Sequence, residues 1–269
     1  FLSLFGITIG IFAIISVFTM VDSLEKNIRN SLESLGNNVV YVQKWPWGGN
    51  EEYPWWKYLN RPEPTLNDMS EIRRRSSLAQ ASCFNVSFNK QVKFQNKSLS
   101  NVTIYGTTNG YDEIRSFELG SGRFFNLFEL NSGKPYAVIG ATICEELFQN
   151  ADPIGQSIQI GGKKATVIGV FAKEGKSAIG ETSSDDMVVI PLGMAKSMVD
   201  LRNSGPWIMV KARDNVVPED LIDELRGILR SYHRLKPLDS DDFSLNQIDM
   251  MKESLDAIFS SISFAGGFI

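Results

Sequence analysis

Phe1–Val21, FLSLFGITIGIFAIISVFTMV, carries no charged residue until Asp22. As a helix rising about 1.5 Å per residue it spans roughly 30 Å, the thickness of a bilayer's hydrocarbon core. The run lacks the basic leader, short apolar stretch and small-residue cleavage site of a secretory signal, so it reads as a membrane helix over residues 1–21. Gly6 and Gly10 add a GxxxG spacing, a weak signal for close helix approach. The other end repeats the pattern: Ala257–Ile269, AIFSSISFAGGFI, is uncharged and reads as the start of a second membrane helix. Phe1 in place of an initiator Met and this apolar ending suggest a segment of a longer polypeptide. With both ends in lipid, the roughly 235 residues between them would lie on one side of the bilayer.

Beyond the first run the apolar stripe continues through Val21, Leu24, Ile28, Leu32 and Leu35 at helical steps, with Glu25/Arg29 and Arg29/Glu33 as opposite charges four apart. Gly36 suits a helix end, so residues 22–36 are expected to form a stalk, followed by a buried strand at Val39–Val42. A matching stripe, Leu245, Ile248, Met251 and Leu255, predicts a second stalk over 245–256 that runs into the second membrane segment at 257–269.

Between these ends the composition is that of an ordinary globular domain, 43% hydrophobic and 22% charged. A net charge of −4 offers no electrostatic footprint for nucleic acid, and Arg73–Arg75 reads as a solvated helix face. Thr65 with Asp68 three residues on marks a helix start, and Phe84 through Tyr105 alternate as antiparallel strands. Residues 142–148 predict a helix, 157–160, 165–170, 188–190 and 208–210 strands, and 172–186 a polar loop. Pro218 opens an amphipathic helix with Glu219 and Asp220 at its start and Arg230 and Arg234 at its end, as the helix dipole favours. Four of the five tryptophans, Trp45, Trp47, Trp55 and Trp56, fall between 45 and 58 among Pro and Gly. That stretch is open to three readings: a loop packed on its own domain, an aromatic platform for a partner or ligand, or an anchor at lipid headgroups.

No constellation of residues defines a reaction, so the sequence predicts no catalytic, cofactor-binding or metal-binding residue. The single histidine, His233, has no nucleophile near it in sequence and reads as a surface residue. Gly175-Lys176-Ser177 ends like a phosphate-binding loop, but position 170 is Val where that loop needs Gly. Asp239, Asp241 and Asp242 resemble the start of a calcium loop, yet 244 and 250 are Ser and Met where Gly and Glu are required, so a helix-initiating acidic turn is expected. Cys83 and Cys144 have no ligand spacing and read as two buried free thiols.

Taken in order, SLGNNVVYV (Ser34–Val42), SGRFF (Ser121–Phe125), AVIGATICEELF (Ala137–Phe148), DPIGQSIQIGG (Asp152–Gly162), ATVIGVF (Ala165–Phe171), VVIPL (Val188–Leu192) and DDFS (Asp241–Ser244) resemble the extracytoplasmic domain of MacB-type ABC transporter permeases, within the FtsX-like superfamily. The tryptophan-rich stretch departs from that pattern. The resemblance implies an α+β fold of two subdomains on two stalk helices continuous with membrane helices. The first is an α/β Porter-like subdomain of residues 37–105 and 205–244, the second a β-rich Sabre-like subdomain of residues 106–204. It also implies a bacterial inner-membrane protein with its central domain periplasmic and no cofactor in this segment. The implied partners are an ABC ATPase subunit or domain, a homodimer mate or related permease, a periplasmic adaptor and a TolC-like outer-membrane channel. Its mechanism would be mechanotransmission, the stalks Leu24/Ile28/Leu32/Leu35 and Ile248/Met251/Leu255 relaying ATP-driven motion. Two alternatives remain at this stage: a membrane-tethered ligand-binding or sensor domain, and a regulator or lipoprotein transporter of the FtsX/Lol type.

Overall fold

The computed structural model describes Ile9, Phe12 and residues 15–21, 23–26, 38–47, 55–149, 151–174 and 183–248. The described residues among positions 1–26 are helical, and Ile9, Phe12, Ile15, Val17, Met20 and Leu24 are each more than half exposed. These apolar side chains therefore have little of this chain packed on them. Among the described residues no helix is long and apolar enough to cross a membrane, and most of the two proposed spans lies outside the described residues.

The central part is built on ten strands: β1 Val39–Gln43, β2 Ala79–Phe94, β3 Lys97–Thr107, β4 Leu119–Gly122, β5 Tyr136–Ile139, β6 Ser157–Ile160, β7 Lys163–Phe171, β8 Met187–Pro191, β9 Trp207–Ala212 and β10 Ser244–Gln247. They form one sheet in the order β10-β1-β9-β2-β3-β8-β5-β7-β4, with β6 paired to β2 and β7. Helices α1 (Trp55–Tyr58), α2 (Leu66–Arg75), α3 (Tyr111–Ile114), α4 (Leu127–Ser132), α5 (Ala141–Phe148), α6 (Leu192–Ala195) and α7 (Pro218–Tyr232) decorate it.

Strand periodicity sorts the core onto two faces. Val40, Val42, Phe84, Val86, Ile104, Ile139, Val188, Ile208 and Val210 turn to one side, where Met69 and Ile72 of α2, Ile143 and Leu147 of α5, and Leu221, Leu225 and Leu229 of α7 cover them. Val39, Tyr41, Cys83 and Met209 turn to the other side against Tyr111 and Ile114 of α3. Further along that second face, Tyr105, Val138, Met187 and Val189 meet Phe125 and Leu130. The run VVYV in β1 is continuous and apolar because both of its faces are covered.

The β-rich part, β4 to β8, joins the rest through a parallel ladder in which Thr103–Thr107 of β3 pair with Met187–Pro191 of β8. At this seam Gly106 lies so close to Ala195 of α6 and Val86 that a Cβ would clash with both. The expected helix at 142–148, the strands at 157–160, 165–170, 188–190 and 208–210, and the helix from Pro218 are all present. Thr65 and Asp68 form a reciprocal capping box at the start of α2.

Residues 244–247 correct the expectation of a stalk beginning at 245. They form β10, whose register places Leu245 opposite Val42 and Gln247 opposite Val40, and Leu245 packs on the main core. The backbone groups of Ser244–Gln247 find better partners on the open edge of β1 than a helix would supply. Ile248 is the first helical residue, and 249–256 lie outside the described residues. The acidic turn at Asp239–Asp242 thus leads into a strand, its carboxylates engaged by α7. The Arg73–Arg75 triplet is exposed, as expected, and it also makes contacts: Arg73 donates to the carbonyls of Ser82 and Asn109, and Arg75 to that of Ile228 in α7.

Two glycines separate packing from propensity. Gly140 starts α5 at a point where a Cβ would strike the Asp185 carbonyl, whereas Gly227, inside α7, has open space around it. Gly140→Ala is expected to lower unfolding free energy by about 1–3 kcal/mol through overpacking. Gly227→Ala should raise it by roughly 0.5–1 kcal/mol through helix propensity. Urea unfolding of the two variants checks both signs.

Candidate functional site

The candidate site is the place where the two chain ends meet the domain. β1 and β10 are antiparallel, with Val40↔Gln247, Tyr41↔Asn246, Val42↔Leu245 and Gln43↔Ser244 in register. Residues before Val39 and after Gln247 consequently leave from the same end of the ladder. Ile248, which follows β10 in the second proposed stalk, is buried beside Val39, Tyr41, Met209 and Tyr111. Leu24 of the first stalk is helical and half-exposed; Ile28, Leu32, Leu35, Met251 and Leu255 lie outside the described residues.

At the other end of the ladder the aromatic stretch begins. Asn246, buried in β10, organises it: its Nδ2 donates to Gln43 Oε1 at 3.0 Å and to the Trp45 carbonyl at 2.9 Å, and its Oδ1 accepts from the Trp47 N–H at 2.9 Å. The Trp47 ring packs on Tyr41 with centroids 4.7 Å apart. Arg61 ties the return of the stretch to both strands, donating to Ser244 Oγ at 2.8 Å and to the Lys44 carbonyl, with its guanidinium 4.5 Å from the centre of the Tyr58 ring. Trp45 meets Tyr58 edge-on. The four tryptophans therefore divide. Trp47 packs within the domain, Trp45 is 38% exposed, and Trp55 and Trp56 in α1 are 54% and 58% exposed against each other.

His233 is not the surface residue its sequence context suggests. It follows α7 and its ring lies between two carboxylates, Nδ1 2.8 Å from Asp242 Oδ1 and Nε2 3.0 Å from Asp68 Oδ1. Its side chain is only 16% exposed. The hydrogen bond to Asp68 raises its pKa, burial opposes this, and Asp242 adds to the rise, leaving it at about 9. Burial pushes Asp68 upward, but the bonds from His233 and from the Thr65 N–H and hydroxyl outweigh it and hold the carboxyl below its ordinary value. Asp68 is also the capping residue of α2, so one imidazolium joins the start of α2, the end of α7 and the approach to β10. Asp68 stands 165 residues away in sequence, and no local pattern announces the pair.

Chemically this is a clamp. An imidazolium donating from both nitrogens has no lone pair with which to accept a proton as a general base. Cys83 is buried, and that burial pushes its thiol up to about 12, far from thiolate chemistry. Cys83 and the half-buried Cys144 are both free. Among the described residues, no group of three or more His, Cys, Asp or Glu side chains is placed to hold a metal ion.

The domain is a mixed sheet carrying helices on both faces, with its first and last strands paired in the β1–β10 ladder. Residues 1–228 match the family described as the MacB-like periplasmic core domain, and the chain belongs to that family. It is 27% identical over 270 residues to the macrolide export ATP-binding/permease protein MacB of Chlorobium luteolum, covering 100% of this chain and 40% of that protein. Its likeness to the MacB of Bdellovibrio bacteriovorus is 27% over 266 residues, with 97% and 40% covered. The chain thus spans 40% of the length of these relatives. The periplasmic region of MacB from Actinobacillus actinomycetemcomitans superposes with a TM-score of 0.66 at 19% identity, covering 86% of this chain and 98% of that one. The extracellular domain of the noncanonic ABC-type transporter YknZ from Gram-positive bacteria does so with a TM-score of 0.60 at 17% identity, covering 77% and 99%. These likenesses establish the α+β fold expected from the sequence.

The His233 clamp has a pH signature. Its folded pKa lies above the unfolded value of 6.5, so its contribution is complete below about pH 6.5 and is lost as pH rises through about 9. Asp68 acts in the opposite sense, its contribution present above its ordinary value of 3.8 and lost as pH falls through the lower folded value. Urea unfolding between pH 6 and 9.5 is expected to show a loss of at most about 3 kcal/mol, and His233→Gln should flatten that slope.

Proposed function

We propose that this chain is the permease portion of a MacB-like ABC exporter, with its central domain on the periplasmic side of a bacterial inner membrane. In this reading the cytoplasmic ATPase is a further domain or a separate subunit, and a second permease, identical or related, completes the transporter. Residues 37–105 with 205–244 act as the Porter-like subdomain and 106–204 as the Sabre-like one. The stalks at 22–36 and 248–256 relay ATP-driven motion to them, and the cargo does not pass between the membrane helices. A periplasmic adaptor and a TolC-like channel complete the path outward, with Trp45, Trp55 and Trp56 as the candidate partner surface.

The observation that supports this reading best is the β1–β10 ladder. A displacement arriving along either terminal segment meets a strand bonded to the other, and β1 passes it to β9 by its second edge. A continuous helix transmits such a displacement, whereas a flexible linker absorbs it. Leu32→Pro in the full transporter should therefore abolish export while thermal unfolding of the outer domain stays unchanged. Unimpaired export by that variant would overturn the relay.

The exposed Trp55–Trp56 pair favours a second reading, a membrane-tethered domain that holds a glycan or peptide on these rings. Titration of the chain with glycans and peptides, followed by tryptophan fluorescence, separates the two. A saturable shift that disappears on replacing both Trp55 and Trp56 with Ala supports ligand binding; a flat response without an adaptor supports the exporter.

A further inference from the structure

A cleft of about 270 Å³ opens between the start of α2 and the segment that follows α6, with Thr65, a bonding partner of Asp68, in its lining. Leu66, Phe84 and Leu201 are its hydrophobic walls, and Glu63, Lys196 and Arg202 line it chiefly with their apolar stems. Phe84 is otherwise buried in the core, so the cleft reaches down to the core surface.

The charges around it are unbalanced. Glu63 is paired with Lys44 at 3.5 Å. The carboxylate of Asp200, next in sequence to the cleft, is taken by the Arg202 backbone N–H and the Asn203 side chain. Lys196 and Arg202 are exposed, and among the described residues neither side chain has a carboxylate partner. The adjoining start of α2 is already capped by Thr65 and the Asp68 carboxylate, so the cations left over are Lys196 and Arg202. An apolar floor beneath two uncommitted cations has a matching ligand chemistry: a hydrocarbon chain ending in an anion.

The geometry points to this cleft as a binding site for a single-chain amphiphile with an anionic headgroup, its alkyl chain against Phe84, Leu66 and Leu201 and its anion at Lys196 and Arg202. The volume lies just below the roughly 300 Å³ at which small-molecule sites begin, so part of the chain and the headgroup stay at the mouth. Phe84 and Leu66 come from β2 and α2, Lys196 and Arg202 from the chain between β8 and β9, so an occupant would touch both.

The test is photolabelling of the whole chain in neutral phosphatidylcholine nanodiscs with dodecanoic acid bearing a terminal diazirine, the labelled peptides being mapped by mass spectrometry. Label is expected on the peptides containing Leu66, Phe84 and Leu201. The doubly reversed variant Lys196→Glu, Arg202→Glu should lose about tenfold of it, as two solvent-exposed ionic contacts imply. Both positions are exposed, and an unchanged melting temperature shows that the variant is folded. Dodecylamine carrying the same diazirine should label the cleft weakly in the parent and more strongly in the variant. Equal labelling by the two probes, no loss in the variant, or label confined to the apolar termini would each overturn the assignment.

Discussion

The antiparallel pairing of β1 with β10 is the constraint on which the rest of the molecule depends. It joins residues about 200 positions apart and puts Val39 and Ile248 at the same end of the ladder. Asn246 fixes that register with three hydrogen bonds to Gln43, Trp45 and Trp47 from a fully buried position. Shifting the strand by one residue would break the bonds of the buried Asn246 amide and turn Leu245 away from the core. The same ladder also holds the start of the aromatic stretch, through the Asn246 bonds to Trp45 and Trp47.

A second organising element is α2. Its start is locked by Asp68 to His233, and its end is held by Arg75 to the last turn of α7. The turn after it is gripped by Glu224 of α7, which accepts from the Ser76 and Ser77 hydroxyls and from the backbone N–H groups of Ser77 and Leu78. α2 and α7 therefore behave as one slab on the sheet, and the cleft beside Leu66 lies at its margin. The clamp and the cleft share a helix but face different neighbours, β10 for the first and the segment after α6 for the second.

Much of this was legible in the sequence, and what was not has a physical explanation. α7 announces itself by Pro218, its acidic start and its apolar stripe; α2 by its capping box; β2 and β3 by alternation. These are local signals. The start of the second stalk was misplaced because Leu245 and Ile248 are three apart, which satisfies a helix, while the pairing partner that makes 244–247 a strand lies at residues 40–43. His233 was misread for the same reason: its environment is made by Asp68 and by a turn that folds back on α7. The resemblance to MacB-type permeases was carried by segments that prove to be strands and helix starts, such as 137–148 and 165–171, whereas the charge balance at the cleft between Leu66 and Arg202 has no linear signature.

The parallel seam and the β1–β10 edge also dictate an order of assembly. β1 is made early, but its partners β9 and β10 end at residues 212 and 247, so a growing chain holds a bare apolar strand through most of its synthesis. Closing contacts so distant in sequence is slow, and an unpaired VVYV edge is a template for self-association. The part of the domain nearest its two ends is completed last, and any holding factor during biogenesis would have most to do there.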